Sequence, residues 1–458
     1  MLTLHRNSLI MSKEDKIFKR KAYDKLLQWK RERNGDTAIL IQGARRIGKS
    51  TLAEEFARRE YRSYILINFA APKAGVVELF NDVSDLNYIF FRLQLAYKVD
   101  LYERESVIIF DEVQMCPKAR QAIKQLVKDH RYDYIETGSL ISVRKNSVNI
   151  VLPSEETKID MFPMDYEEFR WAMDDEVTIP LVRKAFERGE PLGQATHRSL
   201  MRDFRLYMLV GGMPQAVATY LQTNNMSSVD RVKHDIIAIY REDFNKIDES
   251  GKALAIFDAV PGQLTKNASR FQLTSTLNAN ASNSTYGIIR LMEESMTVNV
   301  AYHASDPNVG LALSRDNERF KMYLGDTGLF ITLTFMDKDS TDDTIYQKLL
   351  LDKLNTNLGY VYENVIAQML RASGKQLYYN TMPIDDGKKY YEVDFVIADG
   401  YKVTPIEVKS SGYRTHASLD AFCRKYSDRI ANRYLIYTKD LRREAGVTYL
   451  PVYMTPFI

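Results

Sequence analysis

Residues 43–50 read Gly-Ala-Arg-Arg-Ile-Gly-Lys-Ser. A glycine, four residues and then Gly-Lys-Ser is the spacing of a phosphate-binding loop. Residues 37–41 (TAILI), just before it, are a short apolar run of the kind that makes a buried strand. Residues 50–59 (STLAEEFARR), just after it, are rich in strong helix formers. A strand, a glycine turn and a helix N-terminus point backbone N–H groups and the positive end of a helix dipole at one place, which suits a phosphate. On this reading Gly43, Ala44, Arg45, Arg46, Ile47, Gly48, Lys49, Ser50 and Thr51 cradle a nucleotide. Lys49 reaches the β- and γ-phosphates, and the Ser50 hydroxyl ligates Mg²⁺. The plain alternative is a glycine turn followed by a chance Lys-Ser; the strand–loop–helix setting argues against it.

Outward from the loop, residues 61–70, 106–111, 131–137 and 158–162 read as further strands alternating with helices. That alternation predicts a parallel α/β sheet. Asp111 and Glu112 close the apolar run 107–110, where a second nucleotide-site motif belongs. Asp111 is expected to hold Mg²⁺, mainly through water, and Glu112 to act as general base toward the attacking water. Thr137-Gly138-Ser139 ends the next strand and offers Ser139 or Thr137 as a γ-phosphate sensor. Residues 13–33 read as a basic amphipathic helix packed on this core with a solvated basic face.

These motifs, in this order, resemble those of prokaryotic AAA-type (P-loop) ATPases that carry a C-terminal domain of unknown function related to restriction endonucleases. The loop, the Phe110-Asp111-Glu112-Val113-Gln114 strand end and Thr137-Gly138-Ser139 carry the resemblance. So do the segment 163–169 (PMDYEEF), Gly211-Gly212-Met213-Pro214 and Tyr362-Glu363-Asn364. It implies ATP binding and hydrolysis with Mg²⁺. One departure stands out: the loop's second basic position, often Gln in the family, is Arg46 here.

The expected fold class is α/β. A P-loop NTPase parallel sheet occupies residues 1–162 and a helical lid or connector 163–247. A winged helix follows at 248–335, and a restriction-endonuclease-like α/β domain at 336–458. The winged-helix reading rests on helices at 252–260, 271–277 and 284–296, followed by strands at 298–302 and 320–324. Its third helix carries only Arg290 as a base, against Glu293 and Glu294, so DNA recognition would lean on Arg315, Arg319 and Lys321 in the wing.

In the last region, residues 390–397 and 404–408 read as neighbouring strands. Glu407 and Lys409 share one strand face, because side chains alternate along a strand, and Asp394 can face them from the next strand. Glu363 lies on the preceding helix. The set resembles the metal site of restriction-endonuclease-like nucleases, with Asp394 and Glu407 as ligands and Lys409 beside the water. A surface ion pair or a degenerate site is the plain alternative.

With 458 residues, 45% hydrophobic and 27% charged, the chain is long enough for about three domains. Its net charge of +3 gives no global argument for nucleic acid. Two cysteines, Cys116 and Cys423, cannot build a disulfide framework or a zinc site. No stretch is apolar for long enough to span a bilayer, so a cytoplasmic protein is expected. ATP is the expected ligand, with DNA, a protein partner or a second copy of the chain as candidate partners and no membrane.

Overall fold

The computed structural model describes residues 17–138, 154–266, 268–307, 310–336, 346, 348, 350, 359–384 and 389–458. The first sheet has five parallel strands in the order β2-β3-β4-β1-β5. They are β1 (Ala38–Gln42), β2 (Ser63–Asn68), β3 (Ser106–Asp111), β4 (Asp133–Gly138) and β5 (Glu156–Asp160). Strand β3 is buried at every residue, as a strand covered on both faces must be. The period of two divides its side chains between two cores. Ile39, Ile41, Val107 and Ile109 face α2 (Lys49–Glu60). Ala38, Leu40, Ile108 and Phe110 face α3 (Leu86–Tyr97) and α4 (Pro117–Asp129). Helix α1 (Lys21–Arg33) packs on α2 through Leu26 and Trp29. It begins at Lys21, because Arg20 is held extended; the expected start at residue 13 lies outside the described residues. Strand β1 lies between β4 and β5, so chain order reverses there. The crevice beyond the carboxyl ends of such strands is where an α/β sheet binds ligands.

Five helices follow: α5 (Tyr166–Ala172), α6 (Thr178–Arg188), α7 (Gln194–Val210), α8 (Pro214–Thr223) and α9 (Met226–Ile247). Then come α10 (Lys252–Thr265), α11 (Leu273–Leu277) and α12 (Asn283–Glu294), and the hairpin β6 (Val298–Ala304) and β7 (Arg315–Leu324). Helix α13 (Thr327–Thr334) and α14 (Gly359–Ala372) lead into β8 (Tyr378–Pro383), β9 (Tyr390–Asp399) and β10 (Lys402–Lys409). Then come α15 (Ala417–Lys425), β11 (Tyr434–Tyr437), β12 (Arg442–Glu444) and β13 (Val447–Pro451), with a short 3-10 helix, Val452–Phe457, after them.

The hairpin corrects an expectation. It does not stand free as a wing. Tyr302 and His303 of β6 pair in parallel with Tyr378 and Tyr379 of β8. The hairpin is therefore the edge of an eight-stranded sheet of order β12-β13-β11-β10-β9-β8-β6-β7. The boundary expected at residue 336 thus runs through one continuous sheet. The basic residues expected on the wing each have a partner within the chain, although Arg315 is exposed and Arg319 half-buried. The Arg315 guanidinium stacks 3.4 Å from the Tyr302 ring centre, Arg319 donates to Thr381 Oγ1 at 2.9 Å, and Lys321 is buried.

Candidate functional site

The loop between β1 and α2 needs its glycines. Gly43 has φ +158°, and a Cβ there would sit 2.3 Å from the Met161 carbonyl oxygen. Gly48 has φ +89°, a left-handed conformation that favours glycine, and it opens α2. Lys49 is buried and curls back onto the loop, donating to the Gly43 and Ala44 carbonyls at 3.1 and 2.7 Å. Burial pulls its pKa down to about 8, against the opposing pull of Glu112 and Asp111.

Asp111 is the hub of the site. Its Oδ1 accepts hydrogen bonds from Ser50 Oγ and from Thr137 Oγ1, each at 2.5 Å. Thr137 Oγ1 also accepts from the Glu112 backbone N–H at 3.3 Å. The ends of β3 and β4 and the first turn of α2 are thereby tied together at the carboxyl edge of the sheet. Glu112 adopts a left-handed φ of +54°, uncommon for a non-glycine residue, and its carboxylate accepts a hydrogen bond from the Gln114 amide. Ser50 Oγ and the Asp111 carboxylate are hard oxygen donors beside the mouth of the loop, and so fit Mg²⁺. Ser139 lies outside the described residues.

A cavity of 1120 Å³ opens over the loop. Its walls include Arg45, Arg46, Gly48, Lys49, Ser50, Thr51 and Glu112, which the sequence pattern names. Other walls come from residues 17–20, Tyr23, Pro214 and Gln215, which it does not. Arg20 donates to the Ile47 carbonyl at 2.8 Å and to the Phe162 carbonyl at 2.6 Å. Its Nε lies 3.2 Å from Glu168, so this buried guanidinium clamps the loop to the end of the sheet. Glu168 belongs to the 163–169 segment, where Asp165 and Glu168 form a capping box at the start of α5. Arg45 pairs with Asp243 at 2.8 Å, and Tyr240 donates to the Arg45 carbonyl at 3.0 Å, so α9 also touches the loop. Nothing in the basic run 19–21 marks Arg20 apart from its neighbours; only the signature around Pro214 hinted that distant helices close the site.

In the C-terminal sheet, Asp394, Glu407, Lys409 and Glu363 do come together, joined by Glu392 and Lys321, which the sequence did not place there. Lys409 Nζ lies 2.9 Å from Glu407 Oε1. Lys321 Nζ pairs with Glu392 and lies 3.8 Å from Glu363 and 4.0 Å from Asp394. Burial, together with Glu363, Glu392 and Glu407 nearby, pushes the Asp394 carboxyl well above the usual range. Among the described residues, no group of three or more His, Cys, Asp or Glu has the arrangement of a metal site.

The parallel sheet and its loop define a P-loop nucleotide-binding fold. Residues 35–170 match the AAA domain family, which supports an AAA-type ATPase. Residues 201–340 match a domain of unknown function (DUF8612) and residues 358–454 another (DUF4143). These two ranges meet within one sheet, since β6 and β7 fall in the first and β8 to β13 in the second. No curated protein matches the chain. One similar solved structure is a Walker-type ATPase of Pyrococcus abyssi, 14% identical over 69% of this chain and 96% of that one, with TM-score 0.41. Another is the RuvB Holliday junction branch migration motor of Thermotoga maritima, 13% identical over 61% and 89%, with TM-score 0.27. A third is Cdc6p of Pyrobaculum aerophilum, 13% identical over 75% and 97%, with TM-score 0.25. Among the described residues no helix is long and apolar enough to cross a membrane.

Proposed function

We propose that the chain is a cytoplasmic, Mg²⁺-dependent ATPase that couples ATP turnover to binding of DNA or a protein partner. The observation that carries this is the convergence of Ser50 and Thr137 on Asp111, with Glu112 beside them and Lys49 at the loop. In this reading the loop's N–H groups and Lys49 bind the β- and γ-phosphates, and Lys49 exchanges its loop carbonyls for phosphate oxygens. Ser50 and Asp111 hold Mg²⁺, which neutralises charge on the phosphates when bound. Glu112 accepts the proton of the attacking water. Thr137 fixes the backbone of Glu112 and the carboxylate of Asp111 relative to each other. Arg20 keeps the loop in shape from outside.

Steady-state ATP hydrolysis, measured with and without Mg²⁺ and with and without duplex or single-stranded DNA, tests the reading. Lys49→Ala should lose nucleotide binding. Glu112→Gln should bind ATP and not hydrolyse it. Normal turnover in Glu112→Gln would overturn the base assignment. Stimulation by DNA would mark DNA as the coupled partner, and its absence would point to protein.

A further inference from the structure

Four carboxylates converge where α14 covers the C-terminal sheet: Glu363 from α14, Glu392 and Asp394 from β9, and Glu407 from β10. Such a cluster cannot stay ionised in a buried place unless positive charge sits within it. Here that charge comes from the chain. Lys409 takes Glu407, two residues away on the same strand. Lys321 reaches in from β7 and meets the other three carboxylates. It is 6% exposed. Burial works against its proton, but the acidic groups around it, Glu363, Glu392 and Asp394, outweigh burial and hold the ammonium well above the usual lysine range.

The second oxygens of Asp394 and Glu407 are also engaged. Asp394 Oδ2 accepts from the Val408 N–H at 2.8 Å, and Glu407 Oε2 from the Leu419 N–H at 3.0 Å in the first turn of α15. Glu363 Oε2, the oxygen that faces Lys321, also accepts from the Tyr323 hydroxyl at 3.4 Å. Mg²⁺ and Mn²⁺ demand a shell of oxygen donors in near-octahedral order. The donors that the sequence pattern offers, Asp394 and Glu407, are committed to lysines and backbone amides.

We propose that Lys321 is the resident cation of this cluster. Its ammonium, tethered from the β6–β7 hairpin, takes the place a divalent cation would occupy among Glu363, Glu392 and Asp394, and closes the C-terminal sheet to metal. Metal can enter only if the hairpin withdraws Lys321. The hairpin belongs to the stretch before residue 336, so three of the four carboxylates, Glu363, Glu392 and Asp394, meet a cation that comes from an earlier part of the chain.

Mn²⁺ titration of the full, nucleotide-free chain by calorimetry tests this. Each protein is compared with its own Asp394→Asn variant, so that binding at the phosphate loop cancels. The wild type and Asp394→Asn should give the same heat. Lys321→Met should gain Mn²⁺ binding, and adding Asp394→Asn to it should remove that gain. Lys321→Arg, which keeps a cation, should gain none. Asp394-dependent Mn²⁺ binding in the wild type would overturn the proposal, and so would a folded Lys321→Met that binds no additional Mn²⁺. If Lys321→Met does not fold, the wild-type comparison decides alone: equal heat supports the resident lysine, and excess heat refutes it.

Discussion

The backbones of Gly211 and Gly328 cross so closely that a Cβ on Gly328 would lie 2.6 Å from the Gly211 Cα. Polar contacts extend from this crossing in both directions. Asp326 caps α13 through the Leu329 N–H at 2.9 Å and accepts the Gly212 N–H at 2.6 Å. Two residues on from Gly212, Pro214 opens α8 and lines the cavity over the loop. On the far side, Thr327 donates to Gln368 and Leu324 to Asn364, each at 2.8 Å. Both partners sit on α14, which carries Glu363. A continuous set of contacts thus joins the loop's cavity to the carboxylate cluster.

Gly328→Ala should destabilise the protein. Alanine in a helix is favoured over glycine by about 1 kcal/mol. The nearest atoms here are backbone, which cannot swing aside, and overpacking costs roughly 1–3 kcal/mol. The second effect should win, and the melting temperature should fall. A rise would show that the helices part easily.

Nucleotide binding should weaken as pH rises through about 8. In the free protein the Lys49 pKa is lowered to about 8, and a bound polyphosphate needs the ammonium. Below that pH the proton is already present. Above it binding must take one up, so affinity should fall by up to about tenfold per pH unit. Titration of ATP into the protein near pH 9, in buffers of different ionisation heat, should show proton uptake. The effect should vanish in Lys49→Arg, even if that variant binds less tightly.

Arg20→Met should lose both stability and ATP affinity. Glu168 would be left buried without its cation, which costs about 3–5 kcal/mol. The Ile47 carbonyl would lose its donor, and the loop its clamp. Adding Glu168→Gln should restore much of the stability and none of the affinity. Recovery of both would make Arg20 a purely structural residue. Melting curves and equilibrium ATP titrations on the two variants separate these outcomes.

Thr137→Val, which keeps the shape and removes the hydroxyl, should leave ATP binding near normal and slow turnover about ten- to a hundredfold, on the order of 1.4–2.7 kcal/mol of barrier. The hydroxyl aligns Glu112 with Asp111, and that alignment matters in the chemical step. Unchanged kcat would assign the hydroxyl to packing.

The sequence by itself determined the glycine loop and the strands around it. The loop pattern is packed into eight consecutive residues, and β1, β3 and β4 are buried on both faces, so each is a local pattern with a local cause. It also placed the helices at 252–294, the hairpin strands after them, and the chain positions of Asp394, Glu407 and Lys409. What only the tertiary structure decided is which distant groups meet. Arg20 reaches the loop across 27 residues and Phe162 across 142. Lys321 finds its carboxylates only because β6 pairs with β8. A strand's alternation says which face is buried but not which neighbour it takes, and a lysine on an edge hairpin reads the same whether it faces DNA, solvent or a buried carboxylate. The free energy that settles the choice lies in long-range pairing and burial, which no window of sequence contains.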